Sequence, residues 1–284
     1  MLFRSTWDDI TPAVLSALAG EFDVVPEPGA TGAGTRRTTW LDTFDWRLHK
    51  AGLTLEYVPR RGGSELRLSG AGADADPGQA ATQLVTGWQA SRPHLLAPLA
   101  GDPVGTRVAG LVAPRALIPV VSTSTVTTVY RLLNEDSKTV ARLLIDRPSV
   151  GQFPSGGATP RTPRDGPGQQ TVPLPPRLTI GEVRGYLGQA RRATRLVAAV
   201  PGIEPASTLL VTDALRAVGR RPGDYSNKVD AAISTSMPAG AAAAAILLRL
   251  LDTIEANVDG TLKDIATEFL HDLRVSVRRS RSAL

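Results

Sequence analysis

The chain of 284 residues has no cysteine. That excludes disulfides, thiolate metal sites and a cysteine nucleophile. Its three histidines, His49, His94 and His271, are far apart in sequence, so a histidine-rich metal centre is not expected. No apolar run is long enough to span a membrane. The most apolar stretch, Ala239 to Leu251, contains Arg249 and falls short of the ~20 residues a span needs. The start, Met1-Leu2-Phe3-Arg4, lacks the basic and apolar regions of a secretory signal. Cytoplasmic location with no membrane partner is therefore the expectation, and it agrees with the missing cysteines. A large excess of one charge is also absent: 32 Lys and Arg face 27 Asp and Glu, a net +5, too little to name a partner. Aromatic residues are scarce at 5%.

What is present is a 42% hydrophobic content, enough to bury a core. Gly (27) and Pro (22) exceed their ordinary share, which indicates long loops between modest strands. Breakers lie at Gly29–Thr35, at Gly70–Gln79 and, longest, at Pro148–Pro176. A structureless stretch that long is uncommon inside a compact domain, so residues 148–176 read as a disordered insertion. Between breakers the pattern is strand-like. Gly52–Val58 alternates, with Leu53, Leu55 and Tyr57 on one face, and Glu65–Leu68 returns after Arg60-Arg-Gly-Gly63, a hairpin. Val120–Leu133 and Thr139–Ile145 flank a polar turn at Asn134–Ser137, a second hairpin. Leu178–Val183 is a further strand.

After residue 187 the spacing becomes helical, over Leu187–Val200 and Ser207–Val218. From Ala241 onward, Ile246, Leu247, Leu250, Ile254 and Val258, then Ile265, Phe269, Leu273 and Val277, recur at steps of three and four. The Gly260 region reads as the break between two helices. The last helix runs to Leu284 without a stop signal, which reads as a truncated chain.

That last helix carries the main functional signal. At about 100° per residue, His271, Arg274, Arg278 and Arg281 share an arc of about 80°, a ridge roughly 15 Å long. Leu270, Leu273 and Val277 then point toward a core. Clustered guanidiniums repel one another unless an anion neutralises them, and they bind phosphate in bidentate fashion. A solvated basic face, or one paired with carboxylates of a neighbouring helix, is the plain alternative. Nucleic acid is a third reading. Without interleaved aromatics it would be held by phosphates alone, so sequence-specific contact is disfavoured.

The segment His271-Asp-Leu-Arg-Val-Ser-Val-Arg-Arg-Ser-Arg281 closely resembles the opening His-x-x-Arg-Val-x-x-Arg-Arg-x-Arg signature of the CHAD domain, a basic helical bundle associated with polyphosphate. All five basic positions, His271, Arg274, Arg278, Arg279 and Arg281, are matched. The resemblance starts at about Ala239. Upstream, Trp40-Leu-Asp-Thr-Phe-Asp-Trp-Arg-Leu-His-Lys-Ala-Gly-Leu-Thr-Leu55 is similar to the signature of the CYTH domain of the triphosphate tunnel family, and Ser226-Asn-Lys228 sits where that family has a late Ser-Lys. The resemblance implies an α+β fold: an antiparallel β-barrel with flanking helices over residues 1–232, followed at 239–284 by the first helices of a CHAD bundle. It also implies a tunnel in which basic residues hold a triphosphate and glutamates hold a divalent metal.

Here the tunnel chemistry is depleted. Met1–Asp8 lacks the family's Glu-x-Glu-x-Lys strand, and Val121–Thr128 has no basic residue where arginines are usual. Arg142 stands in place of a glutamate, and the late glutamate strand reduces to Glu182. What remains for an anion is Arg67, Arg131 and Lys228, with Glu182 as a weak metal candidate. No catalytic residue can be assigned. Magnesium prefers several oxygen ligands in near-octahedral geometry, and phosphoryl transfer depends on such an ion. The implied function is binding of inorganic polyphosphate or another phosphate polyanion by a non-catalytic tunnel protein, with no cofactor required. The alternative is a triphosphatase using Mg or Mn. Asp42 and Asp45 read as turn and cap residues rather than ligands. His49 reads as solvent-facing, and Arg191, Arg192 and Arg195 as a solvated basic cluster.

Overall fold

The structure is a computed structural model, and it describes residues 2–6, 9–28, 35–70, 81–86, 88–89, 103–151 and 171–284. In chain order the elements are β1 (Leu2–Ser5), α1 (Thr11–Ala19), β2 (Asp23–Pro26), β3 (Thr35–Asp42), α2 (Arg47–Lys50), β4 (Leu53–Arg60), β5 (Gly63–Gly70), β6 (Ala81–Val85), α3 (Pro103–Val112), β7 (Ile118–Leu133), β8 (Thr139–Gly151), β9 (Thr171–Pro173), β10 (Arg177–Glu182), α4 (Leu187–Ala198), β11 (Ile203–Pro205), α5 (Leu210–Ala217), α6 (Ala239–Leu262) and α7 (Thr267–Ala283). They fall into two compact units. One holds Met1–Thr38, Ser122–Gln152 and Gly168–Val218; the other holds Thr39–Val121 and Gly219–Leu284.

The first unit is an antiparallel sheet in the order β11-β1-β10-β8-β7, with β2 added to β7 and β9 to β8. Strand alternation divides its residues between two faces. Phe3, Leu178 and Ile145 stand in register and pack, with Leu143 and Ile180, against Val14 and Leu18 of α1 and Ala193 and Val197 of α4. Each fully buried large aliphatic or aromatic side chain of this kind contributes about 1.5–3 kcal/mol. On the opposite face Arg4, Arg177, Asp146 and Thr127 form a cross-strand row.

The second unit carries the antiparallel order β3-β4-β5-β6. Leu55, Tyr57, Leu66 and Leu68 bury one face against Leu48 of α2 and Val104, Val108 and Val112 of α3. The β4–β5 hairpin turns at Arg61-Gly62, and Gly62 takes φ 81°, a conformation open to glycine at no steric cost.

Both expected hairpins, 53–68 and 120–145, are present. The closed barrel is not. β11 and β6 each pair with a single strand among the described residues, and closure would leave no strand edge unpaired. The α+β character stands as antiparallel sheet with flanking helices. The supposed insertion at 148–176 is also narrower than expected. β8 continues through Pro148 to Gly151 and pairs with β9; residues 152–170 lie outside the described residues. No helix among the described residues is long and apolar enough to cross a membrane.

Gly260 does not break a helix. It is buried inside α6, and the turn falls at Lys263–Ala266, where Asp264 takes φ 48°, a left-handed conformation that Asp tolerates. Four residues suffice to bring α7 back along α6. A Cβ at position 260 would overlap the Phe269 ring, so glycine is what lets the two helices approach. Gly260→Ala is expected to lower unfolding stability by about 1–3 kcal/mol through overpacking. Adding it to Phe269→Ala should cost little more than Phe269→Ala alone. Chemical denaturation of the three variants reads both numbers; a fully additive double variant would place the clash elsewhere.

Candidate functional site

The outer face of α7 carries the basic residues singled out in the sequence. His271, Arg274, Arg278, Arg279 and Arg281 are all exposed. His271, Arg274, Arg278 and Arg281 line one shallow open surface together with Leu270, Leu273 and Val277. Arg279 is exposed but does not line that surface. Among the described residues, none of the four arginines is ion-paired; the nearest acids in sequence, Glu268 and Asp272, are drawn instead to Arg115.

The inner face of α7 differs from expectation. Leu270 and Val277 are 45% and 39% exposed, whereas Phe269, Asp272 and Ser276 are buried. A carboxylate has replaced the apolar stripe as the buried side, and its partners explain why. Asp272 Oδ2 accepts hydrogen bonds from the Arg115 guanidinium (3.1 Å) and from Tyr225 Oη (3.0 Å), and Oδ1 accepts from Asn227 Nδ2 (3.2 Å). Tyr225 Oη in turn accepts from Asn257 Nδ2 of α6 at 2.8 Å. A buried charge is stable only when paired and hydrogen-bonded in this way. Burial, ahead of the influence of Asp272, pushes the Tyr225 hydroxyl far above its ordinary pKa, so it stays a donor. Rings close the contact: Phe44 lies 4.1 Å from Tyr225 and 4.6 Å from Phe269, centroid to centroid, both tilted; the second is within the usual range for aromatic pairs and the first is closer.

Arg115 is itself 5% exposed and lies 3.0 Å, at Nε, from Asp45 Oδ2. That contact is an ion pair by distance, although Nε has no aligned hydrogen bond. Asp45 belongs to the loop between β3 and α2, and this loop is tightly held. Asp42 accepts from the backbone N–H groups of Thr43 (2.7 Å), Leu48 (2.9 Å) and His49 (3.0 Å), which caps α2. Thr43 Oγ1 donates to Asp45 and accepts from the Arg47 N–H. Trp46 takes φ 60°, strained for a bulky residue. Its indole N–H donates to Asp224 at 2.8 Å, and the Arg220 guanidinium lies 5.1 Å over its ring. The reading of Asp42 and Asp45 as turn and cap residues therefore holds, and His49 faces solvent.

The remaining candidates do not gather at one place in either unit. Arg67 on β5 donates to Glu65 at 2.7 Å. Together with Arg60 it holds the Glu65 carboxyl down to about 2, so an anion would have to displace that carboxylate. Lys228 is exposed in the segment before α6. Arg131 belongs to the first unit; it stands opposite Arg142 on β8, and its Nε is buried without a hydrogen-bond partner. Arg142 is paired with Glu27 at 3.2 Å. Glu182 is exposed at the end of β10. No group of three or more His, Asp or Glu side chains among the described residues is arranged to hold a metal. Of the basic cluster on α4, Arg192 pairs with Glu21, while Arg191 and Arg195 are exposed.

Asp272, Arg115 and Asp45 were not foreseen as a unit. The one available signal was an acid inside a basic helix, a third of a turn from His271. Arg115, far away in sequence, offers none.

Residues 245–284, which cover α7 and most of α6, match the CHAD domain. No curated protein matches the chain. Among solved structures, the chain is similar to a Bacillus halodurans protein named as an adenylate cyclase, at 13% identity and a TM-score of 0.35, over 69% of this chain and 85% of that one. It is also similar to a Hippeastrum protein named as an adenylyl cyclase and described as having a dominant triphosphatase activity. That match has 11% identity and a TM-score of 0.42, over 80% of this chain and 98% of that one.

Asp42 yields a pH prediction. Burial outweighs its three N–H bonds and raises its carboxyl from 3.8 to about 6. The folded state then holds the proton more tightly than the unfolded state, so stability falls as pH rises through this window. Between pH 4 and 7, Asp42→Asn should gain about 3 kcal/mol relative to the unsubstituted chain. Urea unfolding across that range measures the difference; a constant gap would show that the three N–H bonds outweigh burial.

Proposed function

We propose that this chain binds inorganic polyphosphate, or another phosphate polyanion, along the outer face of α7. The supporting observation is the outward row of His271, Arg274, Arg278 and Arg281, solvent-exposed and with no carboxylate among its lining residues. Charge density is what such a row offers, and guanidinium forks match phosphate oxygens. Along the helix, Arg274 to Arg281 spans about 10 Å at 1.5 Å per residue, which suits a linear anion better than a compact one. The upstream sheets then act as scaffold. Their arginines support this role: Arg67, Arg142 and Arg177 each meet a carboxylate of the chain itself, Glu65, Glu27 and Asp213. Lys228, Arg67 and Arg131 are secondary phosphate candidates, and Glu182 is a secondary metal candidate. Binding by α7 requires neither a metal nor a cofactor.

Replacement of Arg274 and Arg278 together by Glu is expected to abolish binding of long-chain polyphosphate. Single Arg→Ala changes along the row should each weaken it several-fold. Binding should also fall steeply with added salt, since exposed charges are screened over about 8–10 Å at physiological ionic strength. Titration with labelled polyphosphate at increasing salt decides the matter. Normal binding by the double Glu variant would refute the assignment. Phosphate release from tripolyphosphate with Mg or Mn would instead favour hydrolysis.

A further inference from the structure

Arg115 is the buried cation nearest to the proposed site, yet it cannot reach a ligand there. Its side chain is 5% exposed, and it meets α7 at Asp272, on the side that carries Phe269 and Ser276 into the core. It meets three carboxylates: Asp272 at 3.1 Å, Asp45 at 3.0 Å and Glu268 at 3.8 Å. Two of these are on α7, and the third is on the loop that Asp42, Thr43 and Trp46 hold in place.

We infer that Arg115 is a positioning residue for the polyanion site: it clamps α7 to the Asp42–Trp46 loop in one rotational setting, and that setting turns His271, Arg274, Arg278 and Arg281 outward as a row. The inference rests on the polyanion reading for its binding consequence, but the clamp itself is independent of any ligand. Geometry explains why rotation matters. Asp272 follows His271 directly and precedes Arg274 by two residues. A turn of the helix by one residue, about 100°, would bury part of the row and expose the carboxylate beside it. The apolar contacts of α7 cannot prevent this alone, because Leu270 and Val277 are exposed and offer a competing apolar face. Phe269, packed on Phe44 and Gly260, favours the observed face, and the charged contact adds the selection that apolar packing alone leaves weak. Using a buried polar pair to select one register among several is a recognised role for such groups.

A double-mutant cycle tests the clamp in the full chain, with long-chain inorganic polyphosphate as probe and hydrogen exchange of the α7 amides as a second readout. Arg115→Met leaves Asp272 buried beside an apolar chain. It should weaken polyphosphate binding by about tenfold or more and speed exchange across residues 267–283, without a change at β4–β5. Arg115→Lys, which keeps charge but loses the fork, should fall in between and serves if the Met variant does not fold. Asp272→Leu combined with Arg115→Met removes both buried charges, returns the net charge to that of the unsubstituted chain, and should recover both affinity and slow α7 exchange relative to Arg115→Met. A purely electrostatic effect of removing the Asp272 charge would raise affinity without slowing α7 exchange. The inference is overturned if Arg115→Met leaves binding and α7 exchange unchanged, or if the double variant binds no better than the single. If the unsubstituted chain binds no polyphosphate, the functional reading falls, and slowed α7 exchange relative to Arg115→Met still decides the clamp.

Discussion

The buried pair between Arg115 and Asp272 determines how the last helix sits. An ionised carboxylate cannot be taken out of water without compensation, and removing one partner of such a pair typically costs about 3–5 kcal/mol. Here compensation comes from four directions: Arg115, Tyr225, Asn227 and, through Tyr225, Asn257 of α6. Together these partners compensate the burial of Asp272. With Asp272 buried, Phe269 is driven onto Phe44 and against Gly260, and the opposite side of α7 has to face outward. The exposure of the arginine row is thus a consequence of where one acid is satisfied.

A second regularity concerns where positive charge is spent. In the first unit, Arg177 and Arg4 share Asp213, Arg142 meets Glu27 and Arg147 approaches Asp9. In the second, Arg60 and Arg67 share Glu65, and Arg220 meets Asp224. Burial favours the neutral form of Arg177 and its contact with Asp213 opposes this, as expected when an ion pair is desolvated. Sheet arginines matched by the chain's own carboxylates have little attraction left for a ligand. Those on α7 are spaced so that the acids within reach, Glu268 and Asp272, point inward. The modest net charge of +5 conceals this division.

The two hairpins and the late helices were legible because alternation and 3.6-residue spacing are local properties. The ridge was legible for the same reason: four residues of one helix share a face whatever the rest of the chain does. The side turned inward was not, because hydropathy ranks Leu270, Leu273 and Val277 above Asp272, and only a distant arginine reverses that order. Gly260 was misread as a break since glycine's low helix propensity is a local signal, whereas its use here is a close approach by Phe269. The barrel came from resemblance rather than pattern, and pairing between distant strands is what local spacing reports least. Short elements such as β11 and β2 gain their identity from β1 and β7, beside which they lie.

The loop from Asp42 to Trp46 shows how a sequence signature and its chemistry can part. Two acids three residues apart in a turn could hold a metal in another setting. In this chain Asp42 spends both oxygens on three backbone N–H groups, and Asp45 spends its own on Thr43, Arg47 and Arg115. A cation arriving here would have to break a helix cap or release Arg115 into a site too dry to hydrate it. The same contacts that make the loop a poor ligand make it a firm base for α7, since strain at Trp46 is tolerated only where surrounding bonds over-determine the backbone. Rigidity in the loop and orientation in the helix therefore have one cause: every carboxylate between them is already committed.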